Sequence, residues 1–540
     1  MSETLAYLEM LAKFPFRLRG FLRQPLTLDK ARSIILRRMD QREELFLQIA
    51  ETSIYGYPRS PYLPLLKLAG CELGDLRQLV GSKGLEGALA HLRNSGVYFS
   101  FEEFKGRAPV VRNGQTLAIR PDDFNNPYAR NSLAAESGGS TGPSTRVAMD
   151  LDQLAARAPH KMATEAAHGI LGAPTVIWRG IMPDSTLNTM LQRAYMRDLP
   201  RRWFSHIALR DSKHWIKYGL ATYYILLWMR LYRIPIPLPS FVMPNQPLIV
   251  AAAVAELAKA HALCCVEAVV SRSLRLCLAA NEAGISFKGV VVKCGGEPVT
   301  PAKVKVIEST GARYFPHYAL TEAGALGSGC VAPAGHDDVH LFKDAFAIVS
   351  HDHRVDGFDV VVPAFNLTTL LPTAPKILLN LQMDDYGVIE ERACRCPFED
   401  YGYTTHLRQI RSYRKLTGEG VTLVGSDMLR ILEEVLPGRF GGSPLDYQLL
   451  EEEDGQGFTR LYLVIDPSIR IDDERAVIDD VLDALRRSGA MADAARSVWQ
   501  RNDSIKIRRM KPVWTARGKM MPLHLERTGS QSQSHPEEKT

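Results

Sequence analysis

The sequence predicts an α/β protein: a large N-terminal domain in which helices cover sheets, followed by a smaller α+β domain. Three observations predict it. The 540 residues exceed one ordinary domain and suggest two to four units. From residue 248 short apolar strands alternate with helices, and after about residue 415 the chain restarts in a compact strand-helix pattern.

Taken in order, residues 28–50 (LDKARSIILRRMDQREELFLQIA) space their apolar positions three and four apart and predict an amphipathic helix. The most apolar stretch, GLATYYILLWMRLYRIPIPLP at 219–239, is too short between its charges and prolines to span a bilayer and reads as a buried or groove-lining helix. A membrane-surface or partner-docking role is its alternative. Next come LIVAAAVAELAKAHA as a helix, CCVEAVV as a strand, SLRLCLAANEAG as a helix closed by glycine and FKGVVVKC as a strand. This alternation predicts a mainly parallel sheet, with ligands beyond the carboxyl ends of its strands, where the loop 294–303 emerges. The restart gives GVTLVG, a helix SDMLRILEEVLPG, a strand pair in DYQLLEEEDGQGFTRLYLVI, a helix DERAVIDDVLDALRRSG and then SIKIRRM. GSQSQSHPEEKT behind it has the composition of a frayed tail.

Hydrophobic residues at 46% and charged ones at 23% are the balance of a soluble globular protein. Lysine and arginine (66) exceed aspartate and glutamate (60) by only six, with no lysine block interleaved with aromatics, which excludes an evident nucleic-acid surface and suits an anionic small ligand. The eight cysteines lack disulfide-framework spacing and MSETLAYLEM lacks the order of a secretory signal, so a cytoplasmic protein is expected. No serine-histidine-aspartate order or HExxH is present, which weighs against a hydrolase.

The chemistry starts at ESGGSTGPSTRV, residues 136–147. Glycines let successive backbone amides turn toward a phosphate and hydroxyls add donors, although a stretch of this composition alone is equally a flexible linker. It is not a nucleoside-triphosphatase P-loop, because Gly142 is followed by Pro143 rather than lysine. Four further stretches follow in order: GGEPVTPA (295–302), YALTEAG (318–324), MDDYG (383–387) and TARGK (515–519).

Together the five resemble the adenylate-forming superfamily of acyl-CoA synthetases, peptide-synthetase adenylation domains and luciferases. Within it the added stretches CVAPAGHDDVHLFKDAF and ACRCPF are most similar to the phenylacetate-CoA ligase and acyl-protein synthetase branch. The resemblance spans about residues 130–520. It implies a large N-terminal ATP- and acid-binding domain of mixed sheets over 1–413, a small mobile α+β domain over 414–528 and a disordered tail at 529–540.

By that resemblance Ser137, Gly138, Gly139, Ser140, Thr141 and Gly142 hold the β- and γ-phosphates of ATP, and Arg146 supplies the cation that a lysine gives in relatives. Gly295, Gly296 and Glu297 line the nucleotide floor. Tyr318 stacks on adenine, Thr321 bonds the α-phosphate, Glu322 holds Mg²⁺ and Asp385 grips the ribose, Asp384 standing at a glycine position. Each acid alone reads as a solvated loop carboxylate; their order is what gives them roles. Lys519 neutralises the carboxylate oxygen and leaving pyrophosphate, its bland alternative being a loose basic C-terminus. Arg411, nine residues before Gly420, marks the hinge, where Tyr413 and Arg414 replace the family's aspartates.

Cys394 and Cys396 fall where relatives pair a Cys-Pro-Cys with an upstream cysteine and histidine, here Cys330 and His340, with His336 as a rival. Three thiolates and an imidazole form a closed structural Zn²⁺ set; buried unligated cysteines are the alternative. Cys264 and Cys265 lie in an apolar strand and belong to the core.

The implied function is ATP- and Mg²⁺-dependent conversion of a small-molecule carboxylic acid to an acyl-adenylate, with pyrophosphate released and the acyl group passed to a thiol. Coenzyme A comes first as acceptor and a carrier protein second. Transfer to an amine and a non-catalytic nucleotide-binding role are the alternatives, and a homodimer is left open. The acid pocket is expected from segment 173–183 and the strands between 264 and 295.

Overall fold

A computed structural model describes residues 3–129, 133–136, 146–181, 184–207, 215–243, 245–354, 361–412, 415–418, 421–424, 431–442, 446–453, 459–486, 505–513 and 523–525. The architecture is a large mixed α/β domain, with helices packed on a central sheet, and a smaller C-terminal α+β unit.

The central sheet has 13 strands and two halves of different character. In space the parallel half runs Arg313–Leu320, Val290–Gly295, Cys264–Val269, Thr175–Trp178, Arg202–Ser205, Pro239–Phe241. CCVEAV and VVVKCG bury side chains on both faces, because helices lie above and below them. The predicted alternation is found as helix Pro247–His261, strand Cys264–Val269, helix Val270–Glu282 and strand Val290–Gly295, with Cys264 and Cys265 buried. The other half, from Gly324–Gly329 to Phe346–Arg354, is antiparallel, so the sheet as a whole is mixed rather than mainly parallel.

The chain runs from Thr175–Trp178 outward to Pro239–Phe241, then returns to place Cys264–Val269 on the other flank of Thr175–Trp178. Strand order therefore reverses between these two. In open α/β sheets such a reversal leaves a crevice beyond the carboxyl ends of the strands. Arg193 is fully buried and meets Glu165 at 2.7 Å, Glu267 of the strand Cys264–Val269 at 2.6 Å and Asp198 at 2.9 Å, while Lys161 meets Glu267 at 2.6 Å. Each buried charge is matched, which is the condition for keeping ions out of water.

Two elements differ from expectation. Residues 28–50 form two helices, Leu28–Asp40 and Arg42–Ile49, parted at Gln41 and followed by a π-helical turn Ala50–Tyr55. The apolar stretch forms the helix Trp215–Leu231, buried on one side only: Ile225, Leu226 and Met229 are core, whereas Leu220, Leu227 and Leu231 are exposed. Among the described residues no helix is long and apolar enough to cross a membrane.

In the smaller unit the order is Ile505–Arg509, Thr459–Ile465, Tyr447–Glu453, Leu523–Leu525, packed against the helix Glu474–Arg486. The strand pair and helix match expectation. Parallel pairing of Leu523–Leu525 with Tyr447–Glu453 was not predicted, since three residues behind a basic segment carry no strand period.

His168 ends the helix Leu151–Ala167, stacks on Phe315 with ring centroids 3.9 Å apart and lies with Nε2 2.9 Å from the Gly329 carbonyl. Burial pushes its pKa down to about 4. With the folded value below the ordinary one of about 6.5, the unfolded chain binds the extra proton between those limits. The fold therefore loses stability on acidification from pH 6.5 to 4, by about 3 kcal/mol from this group. His168→Gln should flatten the pH dependence of the unfolding free energy across that window, and an unchanged slope contradicts the assignment.

Candidate functional site

The strand Arg313–Leu320 carries the start of YALTEAG and turns back as Gly324–Gly329. Their register shifts between Tyr318 and Ala319, an irregularity of the kind that re-aims a side chain. The Tyr318 hydroxyl donates to Asp385 Oδ2 at 2.9 Å. Burial, and after it the Asp385 charge, hold this phenol well above its ordinary range, so it remains the donor.

Asp385 stands opposite Ser412, and Tyr386 opposite Arg411, in the pair Leu381–Glu391 and Thr405–Ser412. Three strands separate Arg313–Leu320 from Leu381–Glu391 in the sheet. A hydrogen bond across that interval requires the sheet to curl, bringing the two motifs face to face. On the other side Gly295 pairs with His317, the neighbour of Tyr318. GGEP, YALTE and MDDYG therefore meet at one locus. Arg411 Nη1 donates to Asp337 Oδ2 at 3.2 Å.

Thr321 is exposed in the turn, and Glu322 Oε1 accepts from Lys105 Nζ at 2.5 Å. Lys105 follows the short helix Phe101–Phe104, and its ammonium lies 5.2 Å and 5.4 Å from the Phe101 and Phe104 ring centres. Lys376 joins this cationic edge, donating to Asn125 Oδ1 at 2.7 Å. Burial, then the neighbouring Lys105, push the Lys376 pKa down to about 8. Sequence reasoning missed both lysines. Lys105 is 217 residues from Glu322, and FEEFKGR carries no local signal beyond a charged turn.

Gly296 has φ +80, a conformation that favours glycine, and a Cβ there would meet Val269 at 3.3 Å. Glu297 accepts from the Ser271 amide at 3.2 Å and hydroxyl at 2.7 Å, so its carboxylate caps the helix Val270–Glu282. That gives it a helix-capping part besides the one the motif implies. Ser137, Gly138, Gly139, Ser140, Thr141, Gly142 and Lys519 lie outside the described residues. The flanking strands Leu133–Glu136 and Arg146–Met149 pair antiparallel, with Glu136 opposite Arg146.

A second cluster holds Cys330, His340, Cys394 and Cys396, whose ligand atoms all lie within 4.8 Å of one another. His340 Nδ1 is 2.7 Å from the Tyr403 carbonyl, an acceptor only, so Nδ1 carries the proton. The Nε2 lone pair is then free to face the sulfurs, at 3.2 Å from Cys396 and 3.6 Å from Cys394. A hydrogen bond from the Cys330 thiol pulls the Cys396 thiol down to about 3, against burial. Donor type, spacing and imidazole tautomer all fit a tetrahedral Zn²⁺ with ligand bonds of about 2.0 to 2.3 Å. The cluster includes His340 and not His336, whose carbonyl accepts from the Tyr314 hydroxyl at 3.1 Å.

No protein-family model matches the chain, and no curated protein matches it in sequence. Among solved structures it is similar to a 2-hydroxyisobutyryl-CoA ligase in the postadenylation state, at 14% identity over 92% of this chain and 90% of that one, TM-score 0.43. It is also similar to an o-succinylbenzoate-CoA synthetase of Bacillus subtilis (13% identity, 80% and 79%, TM-score 0.41) and an amide bond synthetase of Marinactinospora thermotolerans (12% identity, 89% and 92%, TM-score 0.41). At such values the functional reading rests on this chain's own residues.

Proposed function

We propose that the protein is an adenylate-forming ligase: it uses ATP and Mg²⁺ to convert a carboxylic acid into an acyl-adenylate, releases pyrophosphate and passes the acyl group to a thiol, coenzyme A or a carrier protein. The observation that carries this reading is the 2.9 Å bond from Tyr318 to Asp385, because it unites two motifs 67 residues apart at the locus where Gly295 and Glu322 also lie. The strand-order reversal supports an acid pocket beside it, where the strands Thr175–Trp178 and Cys264–Val269 end.

The chemistry follows from charge. A carboxylate attacking the α-phosphate brings two anions together and drives negative charge onto departing pyrophosphate. Lys519 neutralises part of that charge, and Glu322 would hold a Mg²⁺ that, when bound, would neutralise the rest. Lys105 keeps the Glu322 carboxylate in place, where it would be available to the metal. Tyr318 offers its ring to adenine, Thr321 its hydroxyl to the α-phosphate, and Asp385 two acceptor oxygens to the ribose. Ser137 to Gly142 and Arg146 hold the outer phosphates, while Gly295 and Gly296 let the backbone approach the nucleotide. Domain rotation about Arg411 then exposes the acyl-adenylate to its acceptor, with 1–413 and 414–528 as the moving parts.

Zinc, held by Cys330, His340, Cys394 and Cys396, is structural in this reading, since the four ligands leave no open position. The added cysteine-bearing stretches favour the phenylacetate-CoA ligase branch and a cytoplasmic setting. Mass spectrometry after incubation with ATP, a panel of acids and coenzyme A tests the whole reading. An acyl-adenylate that becomes an acyl-CoA supports it; ATP left intact with every acid contradicts it. The substituted hinge at Tyr413 and Arg414 favours one second reading, transfer to an amine, and amide products with coenzyme A ignored would select it.

A further inference from the structure

Arg157 lies on the helix Leu151–Ala167, one turn before Lys161 and on the same helix face. The two cations differ in their partners. Lys161 Nζ meets Glu267 at 2.6 Å and Glu165 at 3.3 Å. Arg157 is half-buried, and among the described residues nothing bonds or ion-pairs with its guanidinium. Burial alone pushes its pKa down to about 10, with no carboxylate among the described residues opposing it. The contrast with Arg193, matched by three acids, is direct.

Its position is specified by a glycine. A Cβ at Gly324 would sit 1.8 Å from Arg157 Nη1 and 2.2 Å from Cζ, and Gly324 has φ +83, so the residue is required both for space and for backbone conformation. Gly324 stands opposite Leu320 across the turn that presents Thr321 and Glu322. The guanidinium is thus built into the YALTEAG turn, and among the described residues it has no counter-charge there.

We propose that Arg157 binds an oxyanion of the adenylation site, either a phosphate of the nucleotide or the carboxylate of the acid. The assignment rests on the adenylation reading. A guanidinium offers two parallel N–H donors to paired oxygens, and partial exclusion of water strengthens the contact.

The test compares the full chain with Arg157→Met and Arg157→Lys in three measurements: ligand-free thermal unfolding, equilibrium dialysis of radiolabelled ATP, and the half-saturating concentration of an active acid in pyrophosphate exchange. Arg157→Met should unfold at the same or a higher temperature, because it removes an uncompensated cation. It should also weaken one ligand at least about thirtyfold, with Arg157→Lys recovering part of the loss. Weakened ATP identifies a phosphate, and a raised acid requirement with ATP unchanged identifies the carboxylate. ATP and acid both within twofold of wild type, or a ligand-free loss of stability in both variants, overturns the assignment alone. Failure of the wild-type chain to bind ATP overturns the adenylation reading and this assignment with it.

Discussion

Glu322→Gln is expected to lower acid-dependent pyrophosphate exchange about 100- to 1000-fold, the range typical when one charge-stabilising contact is removed from a transition state. The amide keeps the shape of the carboxylate and removes its charge. Two consequences separate a role in holding Mg²⁺ from a role in folding. Lys105 loses its ionic partner in both Glu322→Gln and Glu322→Ala, and with side chains 13% and 10% exposed this pair contributes measurably to stability. Lys105→Met breaks the same pair while leaving the carboxylate, so it should match Glu322→Gln in thermal unfolding yet retain far more exchange. Raised Mg²⁺ should restore part of the Glu322→Gln activity. Equal activity losses in Lys105→Met and Glu322→Gln would assign the pair to structure alone.

Cys396→Ala is expected to reduce bound zinc from about one per chain to a trace and to cost about 5 kcal/mol or more of stability. The reason lies in what the cluster joins. Cys330 follows the strand Gly324–Gly329, His340 sits in Val339–Leu341, and Cys394 and Cys396 lie on the loop between Leu381–Glu391 and Thr405–Ser412. These strands form the antiparallel half that turns Asp385 toward Tyr318. Without a metal, three sulfur side chains and an imidazole crowd one spot, with the hydrogen bond from the Cys330 thiol to Cys396 in place of metal–ligand bonds. Metal analysis with unfolding curves of wild type and Cys396→Ala checks this. A wild-type chain that holds no zinc and is no more stable than the variant contradicts it.

Much of the parallel half of the sheet is legible in the sequence, because CCVEAVV and FKGVVVKC are contiguous apolar runs bounded by helices with clear periods. The antiparallel half is not. Strands such as Phe346–Arg354 and Val361–Thr369 gain their identity from pairing with each other along their whole length, which no local window records. The break at Gln41 is hidden for a related reason: the apolar period runs through it, and tertiary packing decides where one helix stops.

The site divides in the same way. Tyr318, Glu322 and Asp385 are found by motif order, and the fold adds the contact between Tyr318 and Asp385 that order alone cannot give. The candidate metal ligands Cys330, Cys394 and Cys396 are singled out through the family resemblance, whereas the choice between His336 and His340 needs the three-dimensional cluster. Lys105, Lys376 and Arg157 leave no trace, since a cation in a turn or a helix reads as a solvated charge until the fold shows what it faces.

The most direct measurement of the central claim is exchange of radiolabelled pyrophosphate into ATP, with a broad acid panel, in wild type and Lys519→Ala. Adenylation is reversible only when an acyl-adenylate forms, so exchange reports that step without any acceptor. The account predicts exchange that depends on at least one acid and on Mg²⁺ and that falls at least about 100-fold in Lys519→Ala. Absence of exchange with every acid, in protein whose unfolding curve is cooperative, would contradict it.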